Sequence, residues 1–288
     1  MPDIWGQAAI LAKFLLYVAA LGATGLVLIR IVFADLLAPL SHRMKKQSLA
    51  LAGLTLVASG FGVMLRGAAL TGGSDGMTDP EMLGLLWQTP VGDVLLLRLT
   101  GAGLLLVGMM IPRIGQWIAL VGGLLCLWSF AQIGHIPELE TTGLRLVLLL
   151  HLLGIAFWIG VLPPLHRLSG QPEHLRQAAQ LGHRFGKIAM CVVPALILAG
   201  LVMAWILLGG FAALTTTSYG LILLIKIALV GVILLLAVAN KLRFVPAMQT
   251  GDRNAARHLA RSIQIETLAL LAVLATTATL TSVLPLPS

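Results

Sequence analysis

The sequence predicts an all-α fold: a polytopic membrane bundle of eight transmembrane helices with both termini on the outer side. Three observations predict it. Of 288 residues, 58% are hydrophobic and 10% are charged, against about 25% charged in a soluble domain; mean hydropathy is +0.98. The apolar residues fall into eight runs of about 20 residues, the length that crosses a bilayer as a helix. Basic residues collect in alternate connections, as the positive-inside rule requires.

The runs cover 7–33, 48–70, 91–111, 114–134, 143–163, 188–209, 219–240 and 262–284. The first lacks a small-residue cleavage site followed by a soluble domain, so it reads as a spanning helix and not a removed signal. The third and fourth are parted only by Pro112 and Arg113, and proline there suits a sharp turn. The longer connections are 71–90, 164–187 and 241–261. With no separate soluble domain and no linker, 1–288 reads as a single membrane domain.

The odd connections carry Arg43, Lys45 and Lys46; Arg113; Arg167, Arg176, Arg184 and Lys187; and Lys241, Arg243, Arg253, Arg257 and Arg261. The even ones carry Asp75, Asp79, Glu81, Glu138 and Glu140, without lysine or arginine between the helix ends. The basic connections therefore face the cytoplasm of a bacterial inner membrane, and both termini face the periplasm. The net charge of +8 expresses topology: the basic residues do not form the patch that a nucleic-acid surface needs. The stretch 172–185 has proline in its first turn and Leu175, Ala178, Leu181 and Phe185 at helical spacing. It is expected to be a short amphipathic helix on the cytoplasmic surface, with 252–261 similar in character.

His151 lies inside the fifth run, and Trp158 follows seven residues later, two turns on and so on the same helix face. An ionisable side chain in a span is costly and marks a functional site by default. His135 closes the fourth run at the outer face. His151 lies roughly 12 Å below that face. Imidazole ligates copper, zinc or haem iron and also shuttles protons; the alternative is a ring bonded to a neighbouring helix. His42, His166, His174, His183 and His258 fall in basic connections and read as surface residues.

Lys13, Arg66, Arg98, Arg145 and Lys226 occupy the outer thirds of their helices. Arg66 and Arg145 are close enough to the ends to snorkel. Lys13, Arg98 and Lys226 lie deeper, where they are expected to line a water-filled cavity open to the outer face, together with Trp158. Such a cavity disfavours a bare cation and favours an anion, a quinone head group or haem propionates. Met64 and Met203, in the outer halves of their helices, are candidate soft ligands for Cu(I), although methionine in a span is most often packing. Cys126 and Cys191 lie in apolar runs and read as packing, without a disulfide scaffold. Glu266 and Asn240 lie near the cytoplasmic end. They read either as polar groups stitching helix ends to Arg261 or Lys241, or as an inner exit. Zincin, phosphate-loop, nucleophile-elbow and haem-attachment motifs are absent from the sequence, so no catalytic residue is assigned and the chain reads as a transport or binding protein.

Several segments taken in order resemble the CopD/PcoD family of copper-resistance inner-membrane proteins. They are Gly134-His135; His151 with Trp158-Ile159-Gly160; Arg184-Phe185-Gly186-Lys187; Lys226 followed by Asn240-Lys241-Leu242-Arg243 and Pro246; and Arg261-Ser262 with Glu266 and the closing Leu284-Pro285. The resemblance covers roughly 130–288. It implies an eight-helix protein of copper homeostasis that moves a copper ion, Cu+ or Cu2+, from periplasm to cytoplasm. It also implies a separate CopC-like periplasmic copper chaperone as partner, beside membrane lipid. On this basis His135 and His151 become the leading copper ligands. Two alternatives stay open: a membrane redox protein binding haem b or a quinone, and a non-transporting docking partner for the chaperone.

Overall fold

The computed structural model describes residues 3–134 and 142–282. His135, Glu138, Glu140, Leu284 and Pro285 lie outside the described residues. Among the described residues the fold is all-helical. In chain order the α-helices are α1 (Ile4–Val32), α2 (Ser41–Thr71), α3 (Pro80–Trp87), α4 (Pro90–Met110), α5 (Gly115–Ser129), α6 (Thr142–Ser169), α7 (Leu175–Leu208), α8 (Ala213–Thr216), α9 (Ser218–Ala239), α10 (Val245–Gln249) and α11 (Arg253–Ser282). Seven of them are long and apolar enough to cross a membrane: α1, α2, α4, α6, α7, α9 and α11. The fourth predicted run yields a shorter apolar helix, α5, of 15 residues.

Local chemistry sets the boundaries. Asp3 caps α1 by accepting from the backbone N–H of Gly6 at 2.8 Å, and Asp79 and Thr89 cap α3 and α4 ahead of prolines at their first helical positions. Such side chains satisfy otherwise unpaired amides, while proline has no amide to lose there. The sharp turn expected at Pro112 and Arg113 joins α4 to α5, with Arg113 in the left-handed region at φ 56°.

Two basic stretches do not form separate surface helices. Residues 175–185 are the opening turns of α7, and 253–261 are the opening turns of α11. Neither junction contains a proline to stop the helix, so the apolar stripe runs on into the span. Ala178, Leu181 and Gly182 are buried where α10 packs across α7. Pro194 sits inside α7 without ending it, as membrane helices tolerate.

The bundle is arranged around α1, the most buried span, which packs on α2, α5, α6 and α11. Small residues allow this. A Cβ on Gly25 would strike the carbonyl of Ala156, and one on Gly160 would strike the backbone of Gly25. In lipid, helix association relies on such close approach more than on a hydrophobic effect. By contrast, α7 and α9 pack on α6 and α11, hardly touch each other along their lengths, and leave most of their surface outward.

Candidate functional site

A cavity of about 890 Å³ opens between the spans. Its walls come from α1, α2, α4, α6, α7, α9 and α11, and Asp3, Val91, Leu207, Tyr219 and Ser282 lie among the lining residues near its mouth. Those positions are the start of α1, α4 and α9 and the end of α7 and α11. These ends therefore share one side of the bundle, the side away from the basic connections.

Lys13, Arg98, Lys226, His151 and Trp158 all line this cavity, as does Arg66. They come from five different helices: Lys13 from α1, Arg66 from α2, Arg98 from α4, His151 and Trp158 from α6, and Lys226 from α9. Lys13 Nζ donates to the carbonyl of Thr281 at 2.6 Å. Tyr17, one turn further along α1, shares a hydrogen bond of 3.3 Å with Thr281 Oγ1. Arg98 Nε donates to Ser129 Oγ at 3.0 Å, and its guanidinium lies 5.3 Å from the centre of the Phe130 ring. Phe130 in turn packs on Tyr17. Lys13 sits in the field of Arg66 and Arg98, and His151 in that of Lys226. Among the described residues none of these four cations forms an ion pair; the one salt bridge there joins Arg184 to Asp35 at 2.7 Å, at the surface.

His151 is held by α7. Its Nδ1 lies 3.2 Å from the carbonyl of Leu196. A carbonyl can only accept, so Nδ1 carries the proton and Nε2 presents a lone pair. Close contact between α6 and α7 makes this bond reachable: a Cβ on Gly154 would lie 2.6 Å from the Leu196 side chain, and one on Gly200 would lie 3.5 Å from His151 Cε1. Met203, one turn beyond Gly200, is buried and also lines the cavity. Met64 does not join that wall; Gly62, Val63, Leu65 and Arg66 around it do. Cys126 is buried behind Arg98 and donates weakly to its carbonyl at 3.8 Å, whereas Cys191 is exposed. Among the described residues no three His, Cys, Asp or Glu side chains converge as a metal cluster.

The floor of the cavity is the second feature of the site. Trp158, 6% exposed, donates its indole N–H to Glu266, 3% exposed. Asn240 Nδ2 donates to the other carboxylate oxygen at 3.1 Å. Beyond this group lies a smaller cavity of about 270 Å³, lined by Glu266, Asn240 and Lys241 among apolar residues of α6, α7, α9 and α11. Trp158, Val193 and Leu234 line both cavities, so the indole and its carboxylate partner stand between them. The sequence suggests Arg261 or Lys241 as the partner of Glu266; the observed partners are Trp158 and Asn240, because α11 turns this face towards α6 and α9.

Sequence reasoning passes over Tyr17, Ser129, Phe130 and Thr281, which hold Lys13 and Arg98 in place. For Tyr17 a signal exists: it lies four residues after Lys13, on the same helix face.

Two family models match the chain. Residues 1–143 match the one described as "Copper resistance protein D-like, N-terminal domain". Residues 179–280 match the one described as "Copper resistance protein D". The N-terminal match falls where the sequence shows no sharp motif, and it takes in Lys13, Arg66 and Arg98. The second takes in Met203, Lys226, Asn240 and Glu266, while His151 and Trp158 lie between the two matched stretches. No curated protein and no solved structure matches the chain.

Proposed function

The chain belongs to the copper resistance protein D family, and from that premise we propose that this multi-pass membrane protein takes up copper at an outward-facing site built on His151 and passes it inward. The observation that carries the reading is the hydrogen bond from His151 Nδ1 to the Leu196 carbonyl. A backbone carbonyl on one ring nitrogen fixes the tautomer and leaves the other as a metal donor, the arrangement typical of ligating histidines. Met203 on the same wall supplies a thioether, and an imidazole–thioether pair suits Cu(I). His135, which closes the fourth apolar run of the sequence, is the other proposed ligand.

The route inward passes Trp158. Glu266 and Asn240 offer oxygen donors on the wall of the smaller cavity, and Asn240 Oδ1 has no hydrogen-bond partner among the described residues. They form the proposed inner exit. Orientation follows from the charge pattern, with the large cavity facing the periplasm, where a separate CopC-like chaperone delivers the ion.

The test has two readouts. Copper bound to purified protein, measured by elemental analysis after equilibration at fixed free copper, is expected to fall more than about tenfold in affinity for His151→Ala. Copper uptake into sealed vesicles is expected to fall with it. Unchanged binding and uptake in both His151→Ala and His135→Ala would falsify this site. A haem or quinone reading draws support from the cationic wall, and a Soret band in purified protein that disappears with His151→Ala would establish it instead.

A further inference from the structure

The large cavity is poorly matched to a bare metal ion in three respects. Four basic side chains, Lys13, Arg66, Arg98 and Lys226, line it, and Asp3 at the mouth, already capping α1, is the sole carboxylate among its lining residues. Ionisable groups within a membrane are normally paired, yet these four make no ion pair among the described residues. Lys226 makes no hydrogen bond there either. The rest of the wall is overwhelmingly aliphatic and aromatic, and the volume of about 890 Å³ is in the range that holds a drug-sized organic molecule, far more than one ion needs.

The cavity also has a side entrance. The helices α7 and α9 hardly touch each other, and on them Ile197, Leu201 and Ile227 both line the cavity and are exposed, which marks an opening on that side. In a bilayer these are the positions that meet acyl chains. An amphiphile in the outer leaflet can therefore slide its tail between α7 and α9 and place its head among the cations without leaving the membrane.

From this combination we propose that the cavity is a binding site for an anionic membrane amphiphile, whose phosphate or carboxylate head is held by Lys13, Arg98 and Lys226 and whose hydrocarbon tail leaves through the α7–α9 gap. This goes beyond the copper reading and stands or falls independently of His151. It also bears on that reading. A bound anionic head neutralises the wall, which otherwise repels Cu+ on its way to His151.

The experiment uses the full-length protein in phosphatidylcholine nanodiscs doped with phosphatidylglycerol, with oleate as a separate arm. Lipid retained after mild detergent extraction is counted by native mass spectrometry. Wild-type protein is expected to retain phosphatidylglycerol over phosphatidylcholine by at least about tenfold, the effect of one well-formed charge-assisted contact. Retention of oleate without phosphatidylglycerol assigns the head to a carboxylate; the reverse assigns it to a phosphate. Lys13→Gln combined with Arg98→Gln is expected to abolish the preference. Because those residues also bond to Thr281 and Ser129, Lys226→Met serves as the second variant. It removes a charge without breaking a bond within the described residues and is expected to weaken retention several-fold at unchanged thermal midpoint. Ile227→Trp, which narrows the gap, is expected to slow exchange of retained lipid. Equal retention of neutral and anionic amphiphiles by the wild type, or a preference untouched by Lys226→Met and by the double variant, overturns the proposal.

Discussion

Gly160→Leu is expected to abolish folding of the bundle, with most of the protein lost as aggregate on size-exclusion chromatography in detergent. A Cβ at this position falls on the backbone of Gly25, and a Cβ at Gly25 falls on the Ala156 carbonyl. Neither neighbour is a flexible side chain that can swing aside. The helices must therefore move apart, and α1 is the element around which α2, α5, α6 and α11 are packed. Overpacking a well-packed site costs about 1–3 kcal/mol and at times more. Gly160→Ala should fall in that range as a lowered thermal midpoint, with leucine well beyond it. Gly103→Ala is the control. That glycine also lies mid-helix, in α4, but a Cβ there meets nothing within 4 Å. It should be neutral or slightly stabilising, because alanine is the better helix former by about 1 kcal/mol. Equal midpoints for Gly103→Ala and Gly160→Ala would show that the α1–α6 crossing is not where the bundle is clamped.

The second large effect belongs to Glu266→Ala. It leaves the buried Trp158 indole N–H and the half-buried Asn240 amide without their shared acceptor. A buried donor left unpaired costs about 1–3 kcal/mol; that is the loss expected from the indole, and the amide, which lines the smaller cavity, adds less. Glu266→Gln keeps one acceptor and should lose less than half as much. A double-mutant cycle with Trp158→Phe tests the pairing directly: the two changes should be markedly less than additive. If they add within about 0.5 kcal/mol, the indole and the carboxylate are not coupled. Under the proposed function the same variants also report on copper passage. The Trp158 side chain forms part of the wall between the two cavities, so loosening it should let copper leak down its gradient in vesicles even where binding at His151 is intact.

Much of this molecule is legible in its sequence because lipid imposes a simple rule. Each apolar run must satisfy its own backbone, so run length and charge placement outline the spans before any packing is known. Continuity between elements is harder to read. The stretch 172–185 looks self-contained, yet Phe185, Gly186 and Lys187 carry no stop signal, and one of its packing partners is α10, far along the chain, where Val245 lies against Gly182. Site residues divide in the same way. Lys13, Arg98, His151 and Lys226 stand out because charge in a span is expensive. The pairing of Glu266 with Trp158 depends on how α11 is rotated against α6, and no periodicity in one helix reports the rotation of another. Met64 shows the converse: its depth is suitable, but its side chain is not on the cavity wall.

The brevity of α5 reaches beyond the protein itself. Its 15 residues rise only about 22 Å, against a hydrocarbon core of about 30 Å. The helix α7 runs for 34 residues, but its opening turns carry Arg176, Arg184 and Lys187, and its apolar part, 188–208, rises about 31 Å, close to the thickness of that core. Lipid beside α5 must thin, while lipid beside α7 meets a span of matching length. The protein therefore presents two different hydrophobic thicknesses to its surroundings. Mismatch costs fractions of a kcal/mol per ångström, enough over this difference to tilt the bundle and to draw it towards thinner regions of the membrane.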